Sequence, residues 1–152
     1  MSERDVAAAL VWTPAGELVF RQLSWLDRRD KLMLWSPKTG EARVVVQRPA
    51  EEWGIHYDSP LGTLEPNGKR LALVYARPGS RLGLARNREL WAVDLRTGSR
   101  RLLYPDIWTD ELLWRDGRIY LKERNNLWSL SPDGGRLRRE SYLPPPEGVR
   151  SP

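Results

Sequence analysis

The sequence has no cysteine, a single histidine, one phenylalanine and two methionines among its 152 residues. Without cysteine there are no disulfides, no thiolate nucleophiles and no thiolate zinc sites, and the redox compartment stays open. His56 alone cannot assemble a zinc cluster, so no metal or other cofactor is expected. Long apolar runs are missing too. The first twelve residues, MSERDVAAALVW, mix charges and hold an apolar stretch of six or seven residues before Thr13-Pro14. A membrane span needs about twenty apolar residues, and a secretory leader needs a cationic start followed by a longer apolar stretch. The expectation is a cytoplasmic protein with no membrane partner.

Lysine is also scarce. Lys31, Lys38, Lys69 and Lys122 are the only four, and arginine supplies the rest of the 25 basic residues. That skew fits a GC-rich or heat-adapted source, and guanidinium groups also stack on rings and grip carboxylates at interfaces. The net charge of +5 is spread among 20 interspersed acidic residues, with no lysine-rich run, so nucleic acid is a poor fit as a partner. What is abundant is apolar surface: 40% hydrophobic residues and eight tryptophans, enough for one folded domain.

Two hairpin types recur in fixed order. The first appears as ALVWTPAGELVF (9–20), GTLEPNGKRLALV (62–74) and LLWRDGRIYL (112–121). The second appears as LMLWSPKTGEARVVV (32–46), LWAVDLRTGSRRLL (90–103) and LWSLSPDGGRLRRE (127–140). Aligned on Gly40, Gly98 and Gly135, the leucines Leu32, Leu90 and Leu127 coincide, followed by Met33, Trp91 and Trp128. The Asn-Gly and Asp-Gly turns supply the positive φ that short hairpins need. Three units of four antiparallel strands, a to d, follow: residues 6–48, 58–104 and 109–143 of a single all-β domain, 1–143. Runs such as Leu71-Ala72-Leu73-Val74 lack alternation, as in strands with both sheet faces covered. This pattern predicts four-stranded blades stacked face to face, with Trp91 and Trp128 at equivalent, largely buried places. The proline-rich tail, 144–152, is expected to be an extended end.

The unit LEPNGKRLALV…NRELWAVDLRTGSRRLLY resembles the repeat of the TolB-like, WD-repeat-type β-propeller family, also found in the propeller domains of prolyl-oligopeptidase-type enzymes. The matching residues are Glu65-Pro66-Asn67-Gly68-Lys69 in the first turn and Leu90 to Asp94 in the strand before the second. They are structural in that family, so the resemblance implies a fold and assigns no catalytic residue. Propellers close with about four to eight blades. Three blades would leave an apolar face open at each end, which predicts a head-to-tail homodimer of six blades. Charging inward positions of terminal strands, such as Val11 or Leu130, is expected to impair assembly and folding together.

Several catalytic patterns fail on inspection. Gly62 to Lys69 has five residues between its glycines, and Arg70 stands where a phosphate loop needs serine or threonine. Lys38-Thr39-Gly40 lacks an accompanying Ser-x-x-Lys. Glu51 and Glu52 are adjacent in a loop and read as solvated.

The a–b and c–d turns are tight, while the connections 21–30, 47–59, 75–88 and 104–110 read as long and emerge on the opposite face. They hold Trp25, Arg28, Arg29, Trp53, His56, Tyr57, Tyr75, Arg77, Arg81, Arg86 and Trp108. Arginines and aromatics on loops over a rigid scaffold are the makings of a protein-binding surface. The expected function is a non-enzymatic interaction module that binds an unknown protein partner through this face. Two alternatives stay open: a hydrolase or lyase with carboxylates in the channel of a closed ring, and a fragment of a larger propeller.

Overall fold

Each predicted hairpin turn is closed by backbone hydrogen bonds. Gly16 N donates to Thr13 O at 2.9 Å, and Gly68 N to Glu65 O at 2.8 Å. Asp116 and Gly117 both take positive φ, +52° and +75°, as a two-residue turn of the mirror-image type requires. In the second hairpin type, Gly40 N reaches Ser36 O and Gly98 N reaches Asp94 O, each at 2.8 Å. The third copy is tighter, with Gly134 N donating to Ser131 O.

The computed structural model describes residues 6–24, 26–49, 62–76, 88–107, 109, 111–123 and 126–142. Twelve strands form three four-stranded antiparallel sheets. Blade one holds β1 (Val6–Trp12), β2 (Leu18–Ser24), β3 (Arg29–Trp35) and β4 (Ala42–Pro49). Blade two holds β5 (Gly62–Leu64), β6 (Arg70–Ala76), β7 (Arg88–Asp94) and β8 (Arg100–Tyr104). Blade three holds β9 (Glu111–Arg115), β10 (Arg118–Glu123), β11 (Asn126–Leu130) and β12 (Arg138–Tyr142). Within each sheet the strands lie side by side in chain order. The first strands gather at one edge of the stack, β5 lying against both β1 and β9. Among the described residues no helix is long and apolar enough to cross a membrane.

The pairing of the third and fourth strands is irregular at the same step in every blade. The register shifts between Leu32 and Met33, between Leu90 and Trp91, and between Leu127 and Trp128. An extra residue on the fourth strand (Val45, Leu103 or Glu140) takes up each shift as a β-bulge. The repeat therefore extends from the turns into the irregularities of the ladder.

Blade two is covered on both faces, which accounts for its unalternated apolar runs. Leu71, Leu73, Tyr75 and Val93 pack with Val19, Leu32 and Leu34 of blade one. Ala72, Val74, Leu90, Ala92 and Leu103 pack with Trp114, Ile119, Leu121 and Leu130 of blade three. Leu71, Ala72 and Leu73 are entirely excluded from solvent. Trp91 and Trp128 do occupy equivalent places on the third strands, but each is half-buried rather than enclosed. Each packs on an interblade core while an arginine lies over its ring, Arg100 at 5.6 Å and Arg139 at 5.7 Å.

Candidate functional site

The strand directions place the first-to-second and third-to-fourth strand turns at one end of the stack and the other connections at the opposite end. Of the ten proposed partner-binding residues, Arg28 and Arg29 are described. Trp25, Trp53, His56, Tyr57, Arg77, Arg81, Arg86 and Trp108 lie outside the described residues. The connection read from the sequence as 21–30 is much shorter. β2 runs to Ser24 and β3 starts at Arg29, so only residues 25–28 join them. Tyr75 likewise belongs to β6 and is 2% exposed, not part of a loop.

Charge explains this misreading. The polar stretch RQLSWLDRRD looks like a loop because its charges have no visible partners in the sequence. In the fold Arg21 and Asp30 lie diagonally across β2 and β3 and neutralise each other in a buried fork. Arg21 Nε donates to Asp30 Oδ1 at 2.8 Å and Nη2 to Oδ2, while Nη1 reaches Val74 O at 3.4 Å. Arg48 on β4 places its Nε 3.7 Å from Asp30. Both guanidinium groups lie over the Tyr75 ring, at 4.8 Å for Arg21 and 4.3 Å for Arg48. Burial pushes the Tyr75 phenol up to about 12, and the Asp30 charge adds to this against the opposing pull of the arginines. The cluster ties blade one to blade two just beneath the 25–28 tip.

Above it, Leu26 to Arg28 project into solvent. Leu26 is 79% exposed, and Arg28 and Arg29 are exposed beside it. Arg28 takes φ +52°, a left-handed conformation. Asp27 organises the tip, accepting from Arg29 N at 3.1 Å and pairing with Lys31 at 3.1 Å. Desolvation pushes its carboxyl up, but the bonds from Lys31 and Ser24 outweigh that and hold it below the usual carboxylate range. An exposed leucine and two exposed arginines within four residues, on a hairpin pinned from below, make a ready contact surface.

The opposite end carries a groove of about 690 Å³ between the turns of blades one and two, lined by Pro14, Glu17, Arg43, Lys69, Asp94 and Arg96 among others. Its charges are largely engaged in structure. Arg43 donates to Leu95 O at 2.7 Å, and Asp94 accepts from Arg96 N and Thr97 N, each at 2.9 Å. The bond from Thr97 N leads the causes that hold the Asp94 carboxyl below its usual range. That aspartate, part of the family-like pattern, is thus a turn former. Among the described residues no group of three histidine, cysteine, aspartate or glutamate side chains is placed to hold a metal.

The two outer faces of the stack differ. Blade one exposes Trp12 (56%) and Val44 (43%), with Leu18, Phe20 and Trp35 half-buried alongside; the Trp12 and Trp35 rings are 6.4 Å apart. Blade three exposes Leu113 (52%) on its outer face and carries a polar network beside it. Arg118 Nε donates to Ser129 Oγ at 2.9 Å, Ser129 donates to Glu140, and Arg138 Nε reaches the same carboxylate at 2.6 Å. The bond from Ser129, then that from Arg138, holds the Glu140 carboxyl below its usual range. Beside this network is a slot of about 460 Å³ lined by Leu113, Tyr120, Leu127 and Lys122 among others.

No protein-family model matches the sequence, and no curated protein is similar to it. Solved structures do share the architecture. TolB from Acinetobacter baumannii is 17% identical with a TM-score of 0.63, over 93% of this chain and 34% of that one. An oligogalacturonate lyase in complex with manganese is 19% identical with a TM-score of 0.59, over 84% of this chain and 38% of that one. The β-propeller domain of the Trilobed protease from Pyrococcus furiosus is 13% identical with a TM-score of 0.56, over 92% and 44%. The chain therefore spans less than half the length of these structures. Their likeness speaks for fold alone. By strand order, repeated turns and these likenesses, the chain is three consecutive four-stranded blades of a TolB-like β-propeller fold.

Proposed function

We propose that the chain is a non-enzymatic interaction module: a rigid stack of propeller blades that presents the end bearing the 25–28 tip to a protein partner. One observation carries the reading. Leu26, Arg28 and Arg29 are held out in solvent on a hairpin whose base is locked by the buried Arg21–Asp30 fork. A pre-organised apolar group close to arginines in the chain binds with little ordering cost, and the arginines favour a partner surface carrying carboxylates. The far end offers tight turns whose polar groups are mostly bonded to one another.

The test is affinity capture from the source cell, comparing wild type with Leu26→Ser/Arg28→Ser/Arg29→Ser and with Lys38→Ser/Lys69→Ser. A partner retained by the second variant and lost by the first supports the reading, as does weaker binding at high salt. A partner lost only when the tight-turn lysines change would overturn it.

A further inference from the structure

The three blades can be superposed position by position, and their differences show what the open faces are built to meet. Trp12, Leu64 and Trp114 are equivalent: each lies at or next to the end of its innermost strand, opposite Leu18, Leu71 or Ile119 in register. In blades two and three this position packs against the preceding blade. Trp114 is 3% exposed, and Arg70 of blade two lies over its ring at 5.0 Å. The residue of blade one in the place of Arg70 is Glu17, and the residue it would cover is Leu64 rather than a tryptophan. The residue of blade three in that place is Arg118. Within one chain, then, tryptophan follows arginine and leucine follows glutamate. Among the described residues no arginine lies over the Trp12 ring and no tryptophan lies beneath Arg118.

Other positions agree. Phe20 aligns with Leu73 and Leu121, and Trp35 with Val93 and Leu130; the blade-two and blade-three members are at most 1% exposed. The turn glycines also approach the bulged residue of the preceding blade. A Cβ on Gly98 would lie 2.4 Å from Val45 O; in the tighter third turn the aligned Gly135 meets nothing within 4 Å, and its neighbour Gly134 makes the approach instead, 3.5 Å from Leu103 O. Gly40, the counterpart in blade one, has nothing within 4 Å. The bulged residue of blade three is Glu140.

We propose that a second copy of this chain seats its blade three on blade one, with Trp12 entering the slot of Leu113, Tyr120 and Leu127 beneath Arg118. The Gly40 turn then meets the bulge at Glu140, and the reciprocal contact closes six blades about a twofold axis. A cation over the indole face is favourable, and desolvation in the slot strengthens it. This pairing rests on the interaction-module reading, because it completes the platform whose end carries the 25–28 tip.

The experiment is sedimentation equilibrium on the full chain, with near-ultraviolet circular dichroism to confirm folding. Wild type should show twice its 17.6 kDa mass. Trp12→Arg sets arginine against Arg118, and Arg118→Glu removes the cation from Trp12, so each variant alone should dimerise at least tenfold more weakly. Mixed one to one, they should recover the dimer. In the mixed pair one contact sets the introduced arginine against the introduced glutamate, and the other is the native Trp12 with Arg118. A wild-type monomer at high concentration would overturn the pairing, as would a dimer indifferent to both variants or a mixture that fails to recover. A monomer that still captures a partner through Leu26, Arg28 and Arg29 would overturn the pairing and leave the module reading standing.

Discussion

Gly98 and Gly117 share a φ of +75°, yet they sit in different surroundings. A Cβ on Gly117 meets nothing within 4 Å, whereas on Gly98 it would lie 2.4 Å from the carbonyl oxygen of Val45. Both alanine substitutions incur the left-handed backbone penalty, about 1–2 kcal/mol. Relieving the Gly98 contact also requires β4 to shift against blade two, and overpacking of this kind adds roughly 1–3 kcal/mol. Gly98→Ala should therefore be less stable than Gly117→Ala by about 2 kcal/mol. Urea unfolding followed by tryptophan fluorescence measures the difference. In a chain of this size, thermal unfolding should separate the two variants by roughly 4–8 °C. Equal losses would show that the turn does not rest on the neighbouring blade, and the argument that turn glycines mark blade contacts would fail.

Asp30→Ala leaves Arg21 and Arg48 buried without their shared carboxylate and should cost about 3–5 kcal/mol in urea unfolding, whereas replacing Arg21 and Asp30 together by apolar residues should recover most of it. The Tyr75 phenol is raised from 10.0 to about 12, so the unfolded chain releases its proton first as pH rises. The contribution of Tyr75 to stability should be complete below pH 10 and fall between pH 10 and 12 by up to about 1.4 kcal/mol per unit. Tyr75→Phe should remove that slope, as read from unfolding midpoints across the range. Trp91→Ala and Trp128→Ala should each cost about 3 kcal/mol, the low end for a core aromatic, because both rings are half-buried. Urea unfolding of each variant against wild type measures the loss.

Turn chemistry made the blades legible in the sequence. Asn67-Gly68, Asp116-Gly117 and the aligned Gly40 and Gly98 have strict local geometry, so their spacing revealed the hairpins. Unalternated runs such as Leu71 to Val74 then showed which strands are covered twice. Pairing across the fold was illegible. The charges of Arg21 and Asp30 suggested a loop because their neutralisation depends on a register that local pattern does not specify. Val11 and Leu130 read as inward positions of terminal strands, and past the bulge between Ala9 and Val11 the first of them does pack with the core between blades one and two. Leu130 also faces blade two and is fully buried. Charging either would strike the fold before the assembly. The polar outer face of blade three was hidden for a similar reason: Ser129 and Glu140 come together only across the bulged pairing of β11 and β12.

That recurrent bulge bears on a hazard every blade shares. The fourth strand of each sheet is its outer edge, with unpaired backbone groups that could recruit strands from other molecules. A bulge bends the edge and spoils its match to a flat incoming strand. Each of these strands also carries exposed arginine: Arg43, then Arg100 and Arg101, then Arg138 and Arg139. Like-charged edges repel, and a guanidinium on a long stem is awkward to bury between sheets. The arginine excess of the chain thus falls partly along its three rims, where distortion and charge together guard against edge-to-edge aggregation while leaving the blade faces free to stack.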